Sequence, residues 1–198
     1  MNMNTQKVWL LGCIAASALV LGGCASQPES KPAASMAAPA ATQAAAAPVT
    51  YFAVLPEDER FYLFGDAKTY FAYLEHGEVA LTRSRIGASP KQTTVVFGLT
   101  NDDVKSTKPN AAEMLFDGKA SVTSPFYGEI FKDGRYYVFN EFADMKMYLE
   151  SGEAAYTFTD IGTGPKGETQ VWVLNGTSHK KGRPTETIAM FSAIRAKK

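Results

Sequence analysis

The chain has 198 residues, with 20 basic and 20 acidic side chains and a formal net charge of zero. So even a balance leaves no basic footprint, and nucleic acid is excluded as an expected partner. An apolar content of 45% and an aromatic content of 12% are enough for a packed core. Both cysteines, Cys13 and Cys24, lie near the N-terminus, so the rest of the chain has no thiol for a disulfide, a metal or catalysis.

The chain opens with one positive charge, Lys7, an apolar run over residues 8–20, and then LVLGGCAS. A short basic start, an apolar stretch of that length and small residues before a break predict a secretory signal, too short for a dedicated membrane span. Leu21, Gly22, Gly23 and Cys24 resemble the lipobox of bacterial lipoproteins. That resemblance covers residues 1–24 and implies removal of 1–23 and acylation of Cys24. Each buried methylene contributes about 0.8 kcal/mol, so two or three acyl chains hold a protein on a bilayer almost permanently. In that family an aspartate after the cysteine retains the protein at the inner membrane. Ala25 stands there, so the resemblance implies a lipid anchor in the outer membrane, facing the periplasm. Cys13, in LLGC, has too little apolar sequence before it to serve in that role.

Residues 24–50 are mostly Ala, Pro, Ser and Gln. Pro28, Pro32, Pro39 and Pro48 leave no window long enough to nucleate a helix, and few large apolar residues means no core. A disordered tether is expected, reaching roughly 30 Å as a coil and about 80 Å if extended.

Residues 60–109 align without a gap to 135–184 at an offset of 75, with 19 identities in 50 positions. This predicts a duplicated unit, 51–122 and 123–198, joined through 118–125. The retained residues are mostly glycine, proline and packing side chains. The charged ones are Arg60, Glu75, Glu78, Lys91 and Lys105, with partners Arg135, Glu150, Glu153, Lys166 and Lys180. Each copy reads as strand, turn, strand, helix and three further strands. PEDE at 56–59 and KDG at 132–134 are the hairpin turns, and Gly65 or Asn140 stands where the helix N-cap belongs. Phe142, Met145 and Leu149 share one helix face, as do Ala67, Tyr70 and Leu74. Gly77 and Gly152 then supply the left-handed residue that ends each helix. The runs 171–174 and 188–194 read as strands. The expected class is α+β, mainly antiparallel sheet.

GTGPKG at 162–167 fits the spacing G-x-G-x-x-G. A dinucleotide fingerprint needs a helix N-terminus after it, whereas ETQVWVL is a strand pattern, and the sister copy reads GASPKQ. The segment is a turn between strands, with Glu168 where a Walker lysine would stand. Glu75 with Glu78, and Glu150 with Glu153, could share a cation or act as an acid–base couple, against the simpler reading of a solvated helix end paired with Arg60 or Arg135. His76 and His179 lack the neighbours of a zinc site or a Ser-His-Asp set. Lys180, Lys181 and Arg183, with Arg195, Lys197 and Lys198, make the second copy more basic, a surface for anionic headgroups or cell-wall polymer, or simply a solvated loop and tail. No cofactor, metal site or catalytic residue is expected. The favoured function is a non-catalytic, lipid-anchored envelope module that binds a protein or a cell-wall polymer; the alternative is an envelope hydrolase with a site assembled from dispersed residues.

Overall fold

A computed structural model describes residues 47–58, 60–122 and 125–197. The signal segment, Cys24 and most of the expected tether lie outside the described residues. The tether's last two residues, Val49 and Thr50, already belong to the first strand.

The elements run in two matching series. The first is β1 (Val49–Leu55), β2 (Phe61–Phe64), α1 (Ala67–His76), β3 (Thr82–Arg85), β4 (Val95–Gly98), α2 (Asn101–Lys105) and α3 (Ala111–Phe116). The second is β5 (Phe126–Lys132), β6 (Arg135–Phe139), α4 (Phe142–Ser151), β7 (Tyr156–Asp160), β8 (Thr169–Leu174), α5 (Gly176–Lys180) and α6 (Thr185–Arg195). The eight strands form one sheet in the order β3-β4-β2-β1-β5-β6-β8-β7, which reads the same way outward from its centre. The seam is β1 paired to β5, and it is parallel.

Two expectations are corrected. The sheet is mixed: β1 with β5, β2 with β4 and β6 with β8 are parallel. The helix α1 and the strand β3 together carry the chain back across the sheet, so the β3–β4 hairpin returns with β4 beside β2, and the second half does the same. The last of the three strands expected after each long helix is absent too, because α3 and α6 stand there. Ile188, Met190 and Ile194 suggest a strand by alternation, but Thr187 and Phe191 are the buried residues, and their spacing of four is helical.

Helix placement follows from the parallel seam. The face bearing Phe52, Phe64, Tyr127 and Trp172 packs against Phe71 of α1 and Phe191 of α6. The opposite face, bearing Ala53, Leu63, Ile130 and Val173, packs against Leu115 of α3 and Met145 of α4. Each face therefore carries one long helix from one half and the C-terminal helix of the other. With both faces covered, β1 reads as the nearly unbroken apolar run VTYFAVL rather than as an alternation. Each fully buried large side chain in these layers contributes about 1.5–3 kcal/mol.

Helix α1 starts at Asp66, whose carboxylate accepts from the Thr69 amide at 2.9 Å. Helix α4 starts at Glu141 with no side-chain cap. Both caps lie one residue beyond the expected Gly65 and Asn140. Gly77 and Gly152 end these helices with φ of 75° and 77°, as the sequence predicts. Asp133 and Gly134 both take positive φ between β5 and β6, a two-residue turn of the kind that matches strand twist.

One alignment detail changes. Tyr62 pairs with Val54, and Tyr137 with Ile130. Second strands 75 residues apart thus have first strands 76 apart, so the β1–β2 turn is one residue longer than its counterpart. A one-residue slip exchanges the faces of a strand, and it makes Tyr51 the counterpart of Tyr127.

Candidate functional site: two clefts on opposite faces

The central strand β5 places Glu129 between α1 and α6 with no solvent exposure. Its Oε1 accepts from the Tyr70 hydroxyl at 2.6 Å and from Arg195 at 2.6 Å. Its Oε2 accepts from the Tyr127 hydroxyl at 2.5 Å and from the other Arg195 nitrogen at 3.0 Å. The guanidinium also lies over the Phe191 ring, 3.3 Å from its centroid. Burial, reinforced by the Glu129 charge, pushes both phenols well above their ordinary value, so they remain donors. Burial alone would lower Arg195, but the Glu129 hydrogen bonds raise it above its ordinary value. With four donors on its two oxygens, this carboxylate has no free lone pair aimed at a substrate.

Outside the pair lies a cleft of about 330 Å³, walled by Phe71 and Leu74 of α1, Tyr136 of β6, Pro165 and Lys166 of the β7–β8 turn, and Arg195. Tyr136 titrates high, at about 12, chiefly because it is buried and faces Glu168.

The equivalent place on the other face is built differently. There α3 and α4 flank a cleft of about 390 Å³ lined by Tyr51, Phe61, Leu63, Leu115, Phe116, Phe142 and Leu149, with Lys146 and Glu150 among its charged residues. Leu149 and Glu150 occupy the helix positions of Leu74 and Glu75, and Pro90 that of Pro165. Among the described residues, the inner wall has no ion pair. Two residues past Tyr51 on the same strand comes Ala53, where Tyr127 is followed by Glu129; Met145 replaces Tyr70. The Tyr51 hydroxyl is buried and has no hydrogen-bond partner among the described residues, and Tyr51 is 1% exposed. Burial raises its phenol far above the ordinary value.

Two more acid–base clusters guard the sheet edges. Glu113 of α3, 1% exposed, accepts from Arg83 at 2.6 Å and Arg85 at 3.0 Å on β3, and from the Asn110 amide at 2.9 Å. Asp160 at the end of β7 accepts from the Trp172 indole at 2.8 Å and pairs with Arg183.

Arg60, Glu75, Glu78, Arg135, Glu150, Glu153, Lys180, Lys181 and Arg183 are all exposed, His179 and Arg195 are half-buried, and Cys24 and Lys198 lie outside the described residues. Glu75 lies on the rim of the first cleft and Glu150 on that of the second. Glu78 and Glu153 follow the ends of α1 and α4, helices on opposite faces, so the two glutamate pairs are not brought together. Glu150 approaches Lys146 at 3.9 Å, and Arg60 pairs with Asp58 at 3.6 Å rather than with a helix-end glutamate. Arg135 opens β6. Lys180 and Lys181 end α5 on the surface, while Arg183 is held by Asp160. His179 stacks on Tyr156 and Phe158, with centroids 4.8 Å and 5.4 Å away. No group of three or more His, Cys, Asp or Glu suited to a metal occurs among the described residues.

GTGPKG is the connection between the antiparallel strands β7 and β8. Gly162 has φ 73° and its sister Gly87 φ 71°. Ser89 stands at the position matching Gly164, yet a Cβ at Gly164 would meet the Glu168 carbonyl oxygen at 2.8 Å.

Sequence reasoning missed Tyr51 and Glu129, and it placed Arg195 in a basic surface tail, whereas the Glu129 carboxylate draws that side chain inward. Glu129 is the lone charge inside FYGEIF, and Arg195 follows Phe191 at a spacing of four; these were the available signals. Comparison with protein-family models, curated proteins and solved structures gives no match, so the site is read from its geometry.

Proposed function

We propose that this chain is a lipid-anchored bacterial envelope protein, held in the outer membrane through Cys24 and facing the periplasm, whose duplicated domain binds rather than catalyses. The address rests on Leu21, Gly22, Gly23 and Cys24 after the apolar run. Matching element series and a sheet order symmetrical about its centre support the duplication. One observation carries the binding reading: Glu129 and Glu113, the two buried acids among the described residues, are each matched to arginine, as is the half-buried Asp160. Groups best placed for acid–base chemistry are thereby held as structural pairs, while the α3–α4 cleft remains open and apolar. The partner is an envelope protein or a cell-wall polymer, met through the rims that carry Glu75 and Glu150.

Mass spectrometry of the mature protein tests the anchor. Diacylglycerol-modified Cys24 at the N-terminus is expected, with loss of membrane association in Cys24→Ser; an unmodified N-terminus at another residue sinks the reading. Crosslinking in cells from residue 75 or 150 should capture a stable envelope partner, whereas turnover of an envelope ester or glycoside by the purified chain would replace binding with hydrolysis.

A further inference from the structure

We propose that the α3–α4 cleft is a binding site for an uncharged, apolar molecule of about two-ring size that carries one hydrogen-bond acceptor, and that the Tyr51 hydroxyl donates to it. The inference rests on the reading of the domain as a binding module and adds a small-molecule ligand to the macromolecular partner met at the rims. The argument starts from a contrast within one molecule. On one face Tyr127 donates to Glu129, and Arg195 completes the pair. On the other face Tyr51 holds the matching position, is 1% exposed and has no hydrogen-bond partner among the described residues. A buried hydroxyl without a partner is costly; among the described residues Ala53 replaces the glutamate, and the nearby Asp117 carboxylate, which also raises the Tyr51 phenol, is engaged by Arg85 and Lys119.

The cleft defines what supplies one. Burial keeps the Tyr51 phenol protonated, so it presents a proton and calls for an acceptor such as a carbonyl. Four aromatic rings, those of Tyr51, Phe61, Phe116 and Phe142, line the space. Tyr51 and Phe142 stand 6.0 Å apart and tilted by 60°, so the two rings pack on one another and form a continuous aromatic wall. Lys146 and Glu150 approach each other at 3.9 Å and leave no unmatched charge on the rim, which selects against an ionic ligand. A volume of about 390 Å³ is of the size that small-molecule pockets have.

Benzophenone tests this directly, being apolar, two-ringed, carbonyl-bearing and photoreactive toward C–H bonds. The full chain in its membrane fraction is irradiated with benzophenone and the adducts are mapped by peptide mass spectrometry. Adducts concentrated on Phe61, Leu115 and Leu149, saturable and competed poorly by diphenylmethane, are expected. Tyr51→Phe should reduce labelling at sub-saturating probe about tenfold while raising the Tm of the ligand-free protein, because an unpartnered hydroxyl has been removed. Leu149→Trp should abolish labelling by filling the space. Labelling scattered over the surface, equal competition by diphenylmethane, or a Tm that falls in Tyr51→Phe would each overturn the proposal. An unacylated Cys24 would overturn the anchored reading and leave these outcomes unchanged.

Discussion

Replacing Arg195 by methionine isolates the worth of the pair at the centre of the fold. Methionine keeps an unbranched stem of similar reach over Phe191 and Phe71 and removes the guanidinium that sits on the Glu129 carboxylate at 2.6 Å and 3.0 Å. Two charge-assisted hydrogen bonds are lost, each contributing about 1.5–3 kcal/mol. Breaking a buried pair by removing one partner costs about 3–5 kcal/mol. The Tyr70 and Tyr127 hydroxyls still donate to the carboxylate, which places the expected cost near the lower bound, about 3 kcal/mol. Urea unfolding of the full chain, followed by tryptophan fluorescence, measures it as a lower midpoint with little change in m-value. The double replacement Glu129→Leu with Arg195→Met should cost less than the two single changes added, with a coupling of at least about 2 kcal/mol. A single change worth under about 1 kcal/mol, or strict additivity in the double variant, would refute the view that the pair ties α6 to the central strand.

Two further outcomes follow from the edge cluster and the β7–β8 turn. Burial alone would raise the Glu113 carboxyl, but the Asn110 amide and the guanidiniums of Arg83 and Arg85 together hold it below its ordinary 4.5; a depressed folded value means stability that is complete above pH 4.5 and lost as pH falls through the folded value. Urea midpoints should therefore be level from pH 7 to about 5 and fall below pH 4.5, the fall shrinking in Arg83→Gln/Arg85→Gln; a midpoint unchanged down to pH 3 would contradict this. In the turn, Gly167→Gln should change stability by less than about 1 kcal/mol, since Gln92 holds φ 58° at the sister position. Gly164→Ser should cost about 1 kcal/mol, because the Glu168 carbonyl must shift as the backbone around Ser89 accommodates its side chain, and Gly162→Val should cost more than either, with φ 73° denied to a β-branched residue. Equal thermal shifts for all three would count against that account.

Local signals in the sequence translated well where a single segment decides its own shape. Gly77 and Gly152 end their helices in the left-handed conformation, and Met145 is buried on the face that its spacing with Phe142 and Leu149 defines. The α+β class and the β7–β8 turn were legible for the same reason. Pairing partners were not. Nothing in VTYFAVL distinguishes a parallel neighbour from an antiparallel one, and β1 owes its place at the centre to β5, more than 70 residues away in the chain. The clefts were legible only in part. Repetition drew attention to Glu75 and Glu150, which reach their rims, but what is unequal between the halves escaped a search for what they share. Tyr51 and Tyr127 look alike as strand residues, and their different surroundings depend on Ala53 against Glu129 and on a tail residue, Arg195, that folds inward.

The parallel seam also governs what a severed chain would do. All seven residues of β1 and all seven of β5 pair with each other, and each half would present that bare, largely apolar edge if separated. Each half would also lose a helix cover, because α6 lies on the face of α1 and α3 on that of α4. Cleavage between the halves should thus give fragments that aggregate singly and recover the native sheet only when mixed, by fragment complementation. A pairing between segments more than 70 residues apart in the chain is slow to close, so the seam is expected to form late in folding, after the hairpins of each half.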